Sequence, residues 1–339
     1  MPRLKTTDER FMRLALAEAA KGLGKTAPNP AVGAVIVREG KVLSKGFHHA
    51  AGLPHAEIET LRRVTPEKAV GATIYVTLEP CSSHGRTPPC TEAIIAAGIK
   101  RVVYGATDPD KRHRGKAARI LRKSGIEVTS GVLADPCAAL NRPWNHRAIT
   151  GMPWVIAKAA LSLDGRIDSP PNRRWITSKA SRREAMRLRA SVEAVLVGGG
   201  TVREDDPSLT VRGIRLPKGH PQPWRVVWSR SGKIPKNCRL LTDAHRGRTI
   251  ILSGMPLRAA LKELAKRGIA SVLLEGGGRT LGEAFRGSLV NEVRYFLAPV
   301  IQGGEVPVLG GVEIPPIDLE NVVHQVIGSD ILISGTLRN

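Results

Sequence analysis

Three side chains spread along one stretch constrain this chain more than any other feature: His55 in His55-Ala56-Glu57, Cys81 after Pro80, and Cys90 after Pro88-Pro89. One imidazole and two thiols are ligands that Zn²⁺ prefers, and three protein ligands leave a fourth position for water. The local contexts agree with such a centre. His55 opens a helical pattern through Ala56, Ile58, Leu61 and Val64. Residues 72–78 read as a buried strand ending at Glu79-Pro80-Cys81. Pro88 and Pro89 mark a helix start, with Cys90 in its first turn. Helix N-termini favour thiolates and metals through their unpaired N–H groups.

A single histidine or cysteine is usually a core residue, and two cysteines nine positions apart could be buried thiols. The agreement of three contexts outweighs that reading here. Cys137 and Cys238, by contrast, lack any partner pattern and read as ordinary residues. Glu57 stands two residues past the histidine, where it can face a metal without ligating it. An H-x-E followed by P-C and a second cysteine is the pattern of zinc nucleobase deaminases. In that chemistry the zinc brings the pKa of its bound water near neutrality, and the glutamate carries a proton to the departing amine.

Deaminases of free cytidine or of tRNA adenosine usually carry P-C-x-x-C, whereas this chain has the longer loop Pro80 to Cys90. With Pro28-Asn29-Pro30-Ala31-Val32-Gly33 and Gly46-Phe47-His48 upstream, it closely resembles the deaminase half of the bifunctional riboflavin-biosynthesis deaminase–reductases. The resemblance implies that Asn29, His48 and Arg86 contact the pyrimidine. On residues alone, Asn29 is as readily a turn residue before Pro30. One departure is plain. After Thr107-Asp108-Pro109 the family usually continues with Asn-Pro and a short apolar segment, and this chain has Asp110-Lys111-Arg112-His113-Arg114-Gly115.

Around these motifs, strands alternate with helices: a helix carrying Phe11, Leu14, Ala15 and Ala19, strands near 31–37, 72–78, 100–105 and 126–129, and helices near 89–97 and 115–124. Thr6-Thr7-Asp8-Glu9 resembles a capping box opening the first helix. This is an α/β pattern with helices packed on a central sheet. At 339 residues the chain is long enough for two domains. Turn and breaker signals at Asp135-Pro136, Arg142-Pro143-Trp144 and Thr150-Gly151-Met152-Pro153 place the boundary within 135–152, giving domains 1–148 and 149–339.

In the second domain, Ala194-Val195-Leu196-Val197 runs into Gly198-Gly199-Gly200-Thr201, and residues 270–274 run into Glu275-Gly276-Gly277-Gly278. Glycine runs after strands let backbone approach a ligand, and a following helix offers N–H groups to phosphate. Neither run is G-x-G-x-x-G, and such turns are more often only turns. Arg212, Arg215 and Lys218 stand where an acidic ribose clamp is absent, which suits a 2′-phosphate and so NADPH. The segments Lys158–Gly165, Trp175–Ser178, Gly200–Arg212, Glu275–Gly278, Ala298-Pro299 and Gly303-Gly304 resemble the reductase half of the same family.

That resemblance implies a cytidine-deaminase-like α/β/α domain followed by a dihydrofolate-reductase-like α/β domain. It implies deamination of 2,5-diamino-6-(5-phosphoribosylamino)pyrimidin-4-one at one Zn²⁺ per chain, then reduction of the ribosyl group to ribityl by NADPH. Ala160, Trp175, Thr201, Asp205 and the segment Gly277, Gly278, Arg279, Thr280, Leu281, Gly282, Glu283 would hold the cofactor. Arg173, Arg189, Leu209, Arg212 and Glu275 would hold the substrate, with the arginines at its phosphate. A second departure lies at Arg173-Arg174, where the family commonly has a small residue before the tryptophan.

The formal charge of +22 suits phosphorylated small molecules or nucleic acid. Only 4% of residues are aromatic, so base-stacking platforms are hard to build, and no specific nucleic-acid partner is expected. Four cysteines are too few for a disulfide framework, and no apolar run reaches a membrane span, so a cytoplasmic enzyme without a membrane partner is expected. We expect a homo-oligomer, dimer or tetramer. The competing readings are a single-activity deaminase, a nucleic-acid deaminase, and a non-catalytic RNA-binding protein on the same fold.

Overall fold

The computed structural model describes residues 7–84, 88–111, 113–168, 174–217 and 219–338. The chain divides into two compact units, Met1–Thr150 and Gly151–Asn339. No helix among the described residues is long and apolar enough to cross a membrane.

The first unit runs α1 (Thr7–Ala20), β1 (Gly33–Arg38), β2 (Lys41–Phe47), α2 (Ala56–Leu61), α3 (Pro66–Ala69), β3 (Thr73–Leu78), α4 (Cys90–Ala96), β4 (Arg101–Ala106), α5 (Lys116–Lys123), β5 (Glu127–Ser130), α6 (Ala134–Leu140) and α7 (Arg142–Thr150). Its sheet has the order β2-β1-β3-β4-β5. β1 is antiparallel to β2 and β3, and β3, β4 and β5 are parallel. Parallel strands covered on both faces need apolar residues at successive positions, which is why Val76, Val102 and Val103 are all buried. Alternate side chains sort to opposite faces. Ile36, Ile74, Val76 and Val102 meet Ile94 of α4 and Leu121 of α5. Val35, Tyr75 and Val103 meet Phe11 and Met12 of α1 and Cys137 of α6. The expected α/β/α layering is therefore the observed one.

One finding differs from the sequence reading. The stretch 142–150, read as breakers, is helix α7: Pro143 lies in its first turn, where a missing N–H costs nothing. Asp8, in the first turn of α1, accepts hydrogen bonds from Arg101 at 2.9 and 2.8 Å and from the Tyr75 hydroxyl at 2.8 Å, tying α1 to β3 and β4. Thr6 lies outside the described residues.

The second unit runs β6 (Trp154–Leu161), α8 (Lys179–Ala190), β7 (Ala194–Gly198), α9 (Gly199–Asp205), β8 (Trp224–Ser229), α10 (Arg239–Thr242), β9 (Thr249–Ser253), α11 (Leu257–Lys266), β10 (Ser271–Leu274), α12 (Gly278–Arg286), β11 (Glu292–Leu297), β12 (Leu319–Ile327) and β13 (Asp330–Leu337). One eight-stranded sheet has the order β12-β13-β11-β6-β10-β7-β8-β9. The six strands from β11 to β9 are parallel, and β13 is antiparallel to both its neighbours. One face packs on α11 and α12 through Leu261, Leu264, Leu281 and Phe285. The other buries Val195, Val197, Val227 and Leu273 against Val202 and Leu240.

In the first unit α1 lies so close on β1 that a Cβ at Gly33 would overlap the carbonyl of Ala15 and the amide nitrogen of Ala19. Backbone atoms cannot swing aside as a side-chain tip can. Gly33→Ala should therefore destabilise this unit by about 3 kcal/mol. Hydrogen exchange in graded urea should show residues 7–150 opening earlier with 151–338 unchanged; unaltered exchange at β1 would contradict the packing.

Candidate functional site

In the first unit the three ligand candidates arrive from three separate elements. His55 is the extended residue (φ −69°, ψ 164°) on which α2 begins. Cys81 follows the end of β3, and Cys90 is the first residue of α4. His55 Nδ1 lies 3.5 Å from Cys81 Sγ and 3.3 Å from Cys90 Sγ. All three ligand atoms fall within 4.8 Å of one another. Tetrahedral bonds of 2.0–2.3 Å place neighbouring ligand atoms about 3.5 Å apart, so the trio fits Zn²⁺. The backbone N–H of Cys90 donates to Cys81 Sγ at 3.2 Å, an α4 N-terminal donor aimed at sulfur. The Cys90 thiol, and then His55 against the opposing effect of burial, hold the Cys81 thiol down at about 4. The same pairing pushes Cys90 up. Ligation requires both thiols to be deprotonated.

Glu57 sits in the first turn of α2 and is 3% exposed. Burial, then the nearby Cys81 charge, push its carboxyl up to about 7. A carboxyl poised near neutrality can both take and give a proton. His48, also buried, receives the Asn29 side-chain amide at 3.1 Å on Nε2 and donates from Nδ1 to the Pro54 carbonyl at 3.0 Å. Burial lowers its pKa, so the neutral tautomer with the proton on Nδ1 fits both bonds. Its ring stands edge-on to His55, with centroids 5.3 Å apart. The structure thus brings Asn29, His48, His55, Glu57, Cys81 and Cys90 together. Arg86 lies outside the described residues.

Sequence reasoning missed Glu79, a buried acid at the end of an otherwise apolar strand, two residues before Cys81. Its Oε2 accepts the N–H groups of Asp108 at 3.3 Å and Gly115 at 3.0 Å. It also missed a contact between His113 Nδ1 and Ser83 Oγ at 3.1 Å. The signal for Glu79 was present, as a charge that a buried strand end must satisfy.

In the second unit β7 and β10 are parallel neighbours, and both run directly into helices, α9 and α12. The Gly277 N–H donates to Thr201 Oγ1 at 3.3 Å, joining the two turns. The glycines divide by what surrounds them. A Cβ on Gly278 would meet the Pro307 carbonyl at 2.5 Å and Gly310 N at 2.6 Å, and one on Gly282 would meet Leu309 and Val312. These two serve chain packing. At Gly277 the nearest atom is Thr201 Oγ1 at 3.6 Å, and at Gly200 it is the Arg203 guanidinium at 3.9 Å, so backbone is open to a ligand there. Open glycine backbone at two helix starts fits the phosphates of a nicotinamide dinucleotide. Within 277–283, Thr280 and Leu281 are buried, Arg279 is exposed, and Glu283 pairs with Arg230 at 2.8 Å.

Ala160 lies on β6, and Asp205 is exposed at the end of α9. Trp175 is 47% exposed, with the Arg174 and Arg182 guanidiniums 5.3 and 4.9 Å from its ring centre. Leu209 is 2% exposed and points into the core; its φ of +54° is strained for a branched side chain. Glu275, largely enclosed at the end of β10, is held by Arg189 through Nε at 2.6 Å and a second nitrogen at 3.0 Å, with Lys158 at 3.7 Å. The third Arg189 nitrogen donates to the Thr210 carbonyl at 3.1 Å. Burial alone would raise the Glu275 pKa; Arg189 and Lys158 overcome it and hold it at about 2. Arg212 is exposed and donates to Ser208 at 3.0 Å, and Arg215 is exposed. Arg173 and Lys218 lie outside the described residues.

The families that match the chain follow this division. The cytidine and deoxycytidylate deaminase zinc-binding region matches residues 5–106, and the RibD C-terminal domain matches residues 153–333. The riboflavin biosynthesis protein RibD of Aquifex aeolicus is 40% identical over 321 residues, covering 88% of this chain and 89% of the relative. Among solved structures, Acinetobacter baumannii RibD is similar with a TM-score of 0.90 at 34% identity, covering 98% of this chain and 99% of that one. A Thermotoga maritima diaminohydroxyphosphoribosylaminopyrimidine deaminase/5-amino-6-(5-phosphoribosylamino)uracil reductase gives 0.85 at 34% identity, with the same coverage.

Because Glu275 titrates at about 2 in the fold against an ordinary 4.5, its ion pairs stabilise the second unit above about pH 4.5 and that gain is lost as pH falls toward 2. Glu275→Gln should remove about 3 kcal/mol at neutral pH, leaving Arg189 buried without its counter-charge, and should flatten the acid limb. Fluorescence of Trp154, Trp175, Trp224 and Trp228 reports unfolding of this unit. An unchanged acid limb would contradict the assignment.

Proposed function

The chain belongs to the RibD family of riboflavin-biosynthesis deaminase–reductases, and from that premise we propose which of its residues carry each half-reaction. The enzyme is bifunctional: a zinc-binding deaminase domain precedes a reductase domain that uses a nicotinamide cofactor. The convergence of His55, Cys81 and Cys90 beside buried Glu57 is the observation that carries the deaminase assignment.

We place one Zn²⁺ per chain on those three ligands. Zinc so held supplies the Lewis acidity that makes water a nucleophile at neutral pH. Glu57 takes the proton of the attacking water and gives it to the leaving amino group. Asn29, its amide set by His48, contacts the pyrimidine; His48 acts through Asn29. The substrate is the diaminopyrimidine bearing a phosphoribosylamino group.

In the reductase, Gly200, Thr201 and Gly277 line the cofactor phosphates, with Ala160, Trp175, Asp205, Arg279 and Glu283 at its periphery. The cofactor these residues would hold is NADPH, which would supply the hydride for reduction of the ribosyl group to a ribityl chain. All three Arg189 nitrogens are bound within the protein, so Arg189 is a positioning residue for Glu275 and the 208–212 segment, and Arg212 meets the substrate phosphate. Leu209 contributes backbone only. Domains 1–148 and 149–339, a cytoplasmic location and a homo-oligomer complete the reading. In support of the last, edge strand β12 exposes Val323 and, at 75%, Val326, a surface that a second copy can cover.

Glu57→Gln keeps the shape of the site and removes the proton carrier. Deamination should fall at least a thousandfold, on the order of losing general acid–base catalysis, while elemental analysis finds zinc retained. Substantial residual turnover with zinc bound would remove Glu57 from the mechanism.

A further inference from the structure

We propose that His113 and Arg114, in the loop that follows β4, recognise the phosphate of the substrate at the deaminase site. The inference rests on the deaminase reading above and adds where the phosphate of its substrate is held.

β3 and β4 are parallel neighbours with Leu78 opposite Ala106, so their carboxyl ends emerge side by side. Ligands of such sheets bind outside those ends. The chain leaving β3 carries Glu79 and Cys81; the chain leaving β4 carries residues 107–115. Two ties join them. Glu79 Oε2 accepts the N–H of Asp108 and of Gly115, fixing both ends of the second loop to a carboxylate two residues from a metal ligand. His113 Nδ1 meets Ser83 Oγ at 3.1 Å, fixing the middle of that loop to the loop that carries Cys81. His113 and Arg114 therefore stand on a loop tied to the one that carries Cys81.

Its chemistry suits a phosphomonoester dianion. Lys111, Arg114 and Lys116 are exposed and His113 half-buried, and among the described residues none of the three strong bases is in an ion pair. Arg114 is braced across its own loop by weak bonds to the carbonyls of Asp108 at 3.4 Å and Pro109 at 3.3 Å. A guanidinium fork and an imidazole on a tethered loop bind phosphate oxygens with less ordering cost than free surface lysines. The exposed bases of α5, Arg119 and Arg122, have no tie to the metal loop among the described residues and serve as the comparison. The same stretch is where the chain replaces the family's Asn-Pro and apolar segment with basic residues, so the recognition proposed is a feature of this chain.

The test compares kcat/KM for the phosphorylated substrate with that for the same pyrimidine ribosylamine lacking phosphate. The wild type should prefer the phosphorylated form, and the ratio should fall about tenfold to a hundredfold in His113→Ala and Arg114→Gln, the range for losing charged hydrogen bonds. Arg119→Gln/Arg122→Gln should leave it unchanged. Zinc content of each variant shows that the site still assembles, and inorganic phosphate should inhibit wild-type turnover of the phosphate-free compound more strongly than that of Arg114→Gln. An unaltered ratio in both loop variants overturns the proposal, including the case where both activities fall together. An equal loss of preference in the α5 variant reduces it to general surface charge and overturns it too. If the wild type turns over neither compound with zinc bound, the deaminase reading itself fails and this proposal with it.

Discussion

A sheet of parallel strands buried on both faces cannot place charge along its strands, only at their ends. The deaminase unit is arranged around one such end. β3 carries no charge until Leu78, then delivers Glu79 and Cys81 within three residues. α2 and α4 start at the same place and bring His55, Glu57 and Cys90. Each N-terminus adds donors that sulfur or a carboxylate can use, so helix starts, strand end and ligand set depend on one another. The closeness of α1 to β1, which excludes even a methyl group at Gly33, holds the opposite face of that sheet.

The reductase unit applies the same constraint to a different charge. Glu275 is a largely enclosed acid at the end of β10, and it remains ionised because buried Arg189 and the nearby Lys158 pair with it. A pair of this kind gives modest net stability yet is costly to break, so it fixes geometry more than it adds strength. It brings α8, β10 and the 208–212 segment to one point, beside a turn whose open glycine backbone can receive a dinucleotide. At Gly278 and Gly282 the space a Cβ would take is filled by residues 307–312, so α12 packs closely on that segment.

What could be read in advance follows from sequence distance. His55, Glu57, Cys81 and Cys90 sit in local patterns that each declare a helix start or a strand end, so the metal trio and the layered fold around it were legible. Arg189 and Glu275 are 86 positions apart, and no local signal tells that the two form an ion pair. Glu79 was readable only as an oddity until the 108–115 loop closed on it. The helix α7 was hidden by Pro143, since a proline reads as a breaker unless the register places it in a first turn. The antiparallel β12–β13 pair, with its exposed edge, lacks the continuous apolar run that marked the other strands.

The central claim is that one chain carries out two successive reactions on one pyrimidine, a hydrolytic deamination and a hydride reduction. Mass spectrometry of the product after incubation with the zinc-loaded enzyme, with and without NADPH, tests it most directly. The account predicts exchange of an amine for a carbonyl without NADPH, and a further gain of two hydrogens when NADPH is present. Exchange alone in both tubes would contradict the reductase half, and an unaltered pyrimidine in both would contradict the whole.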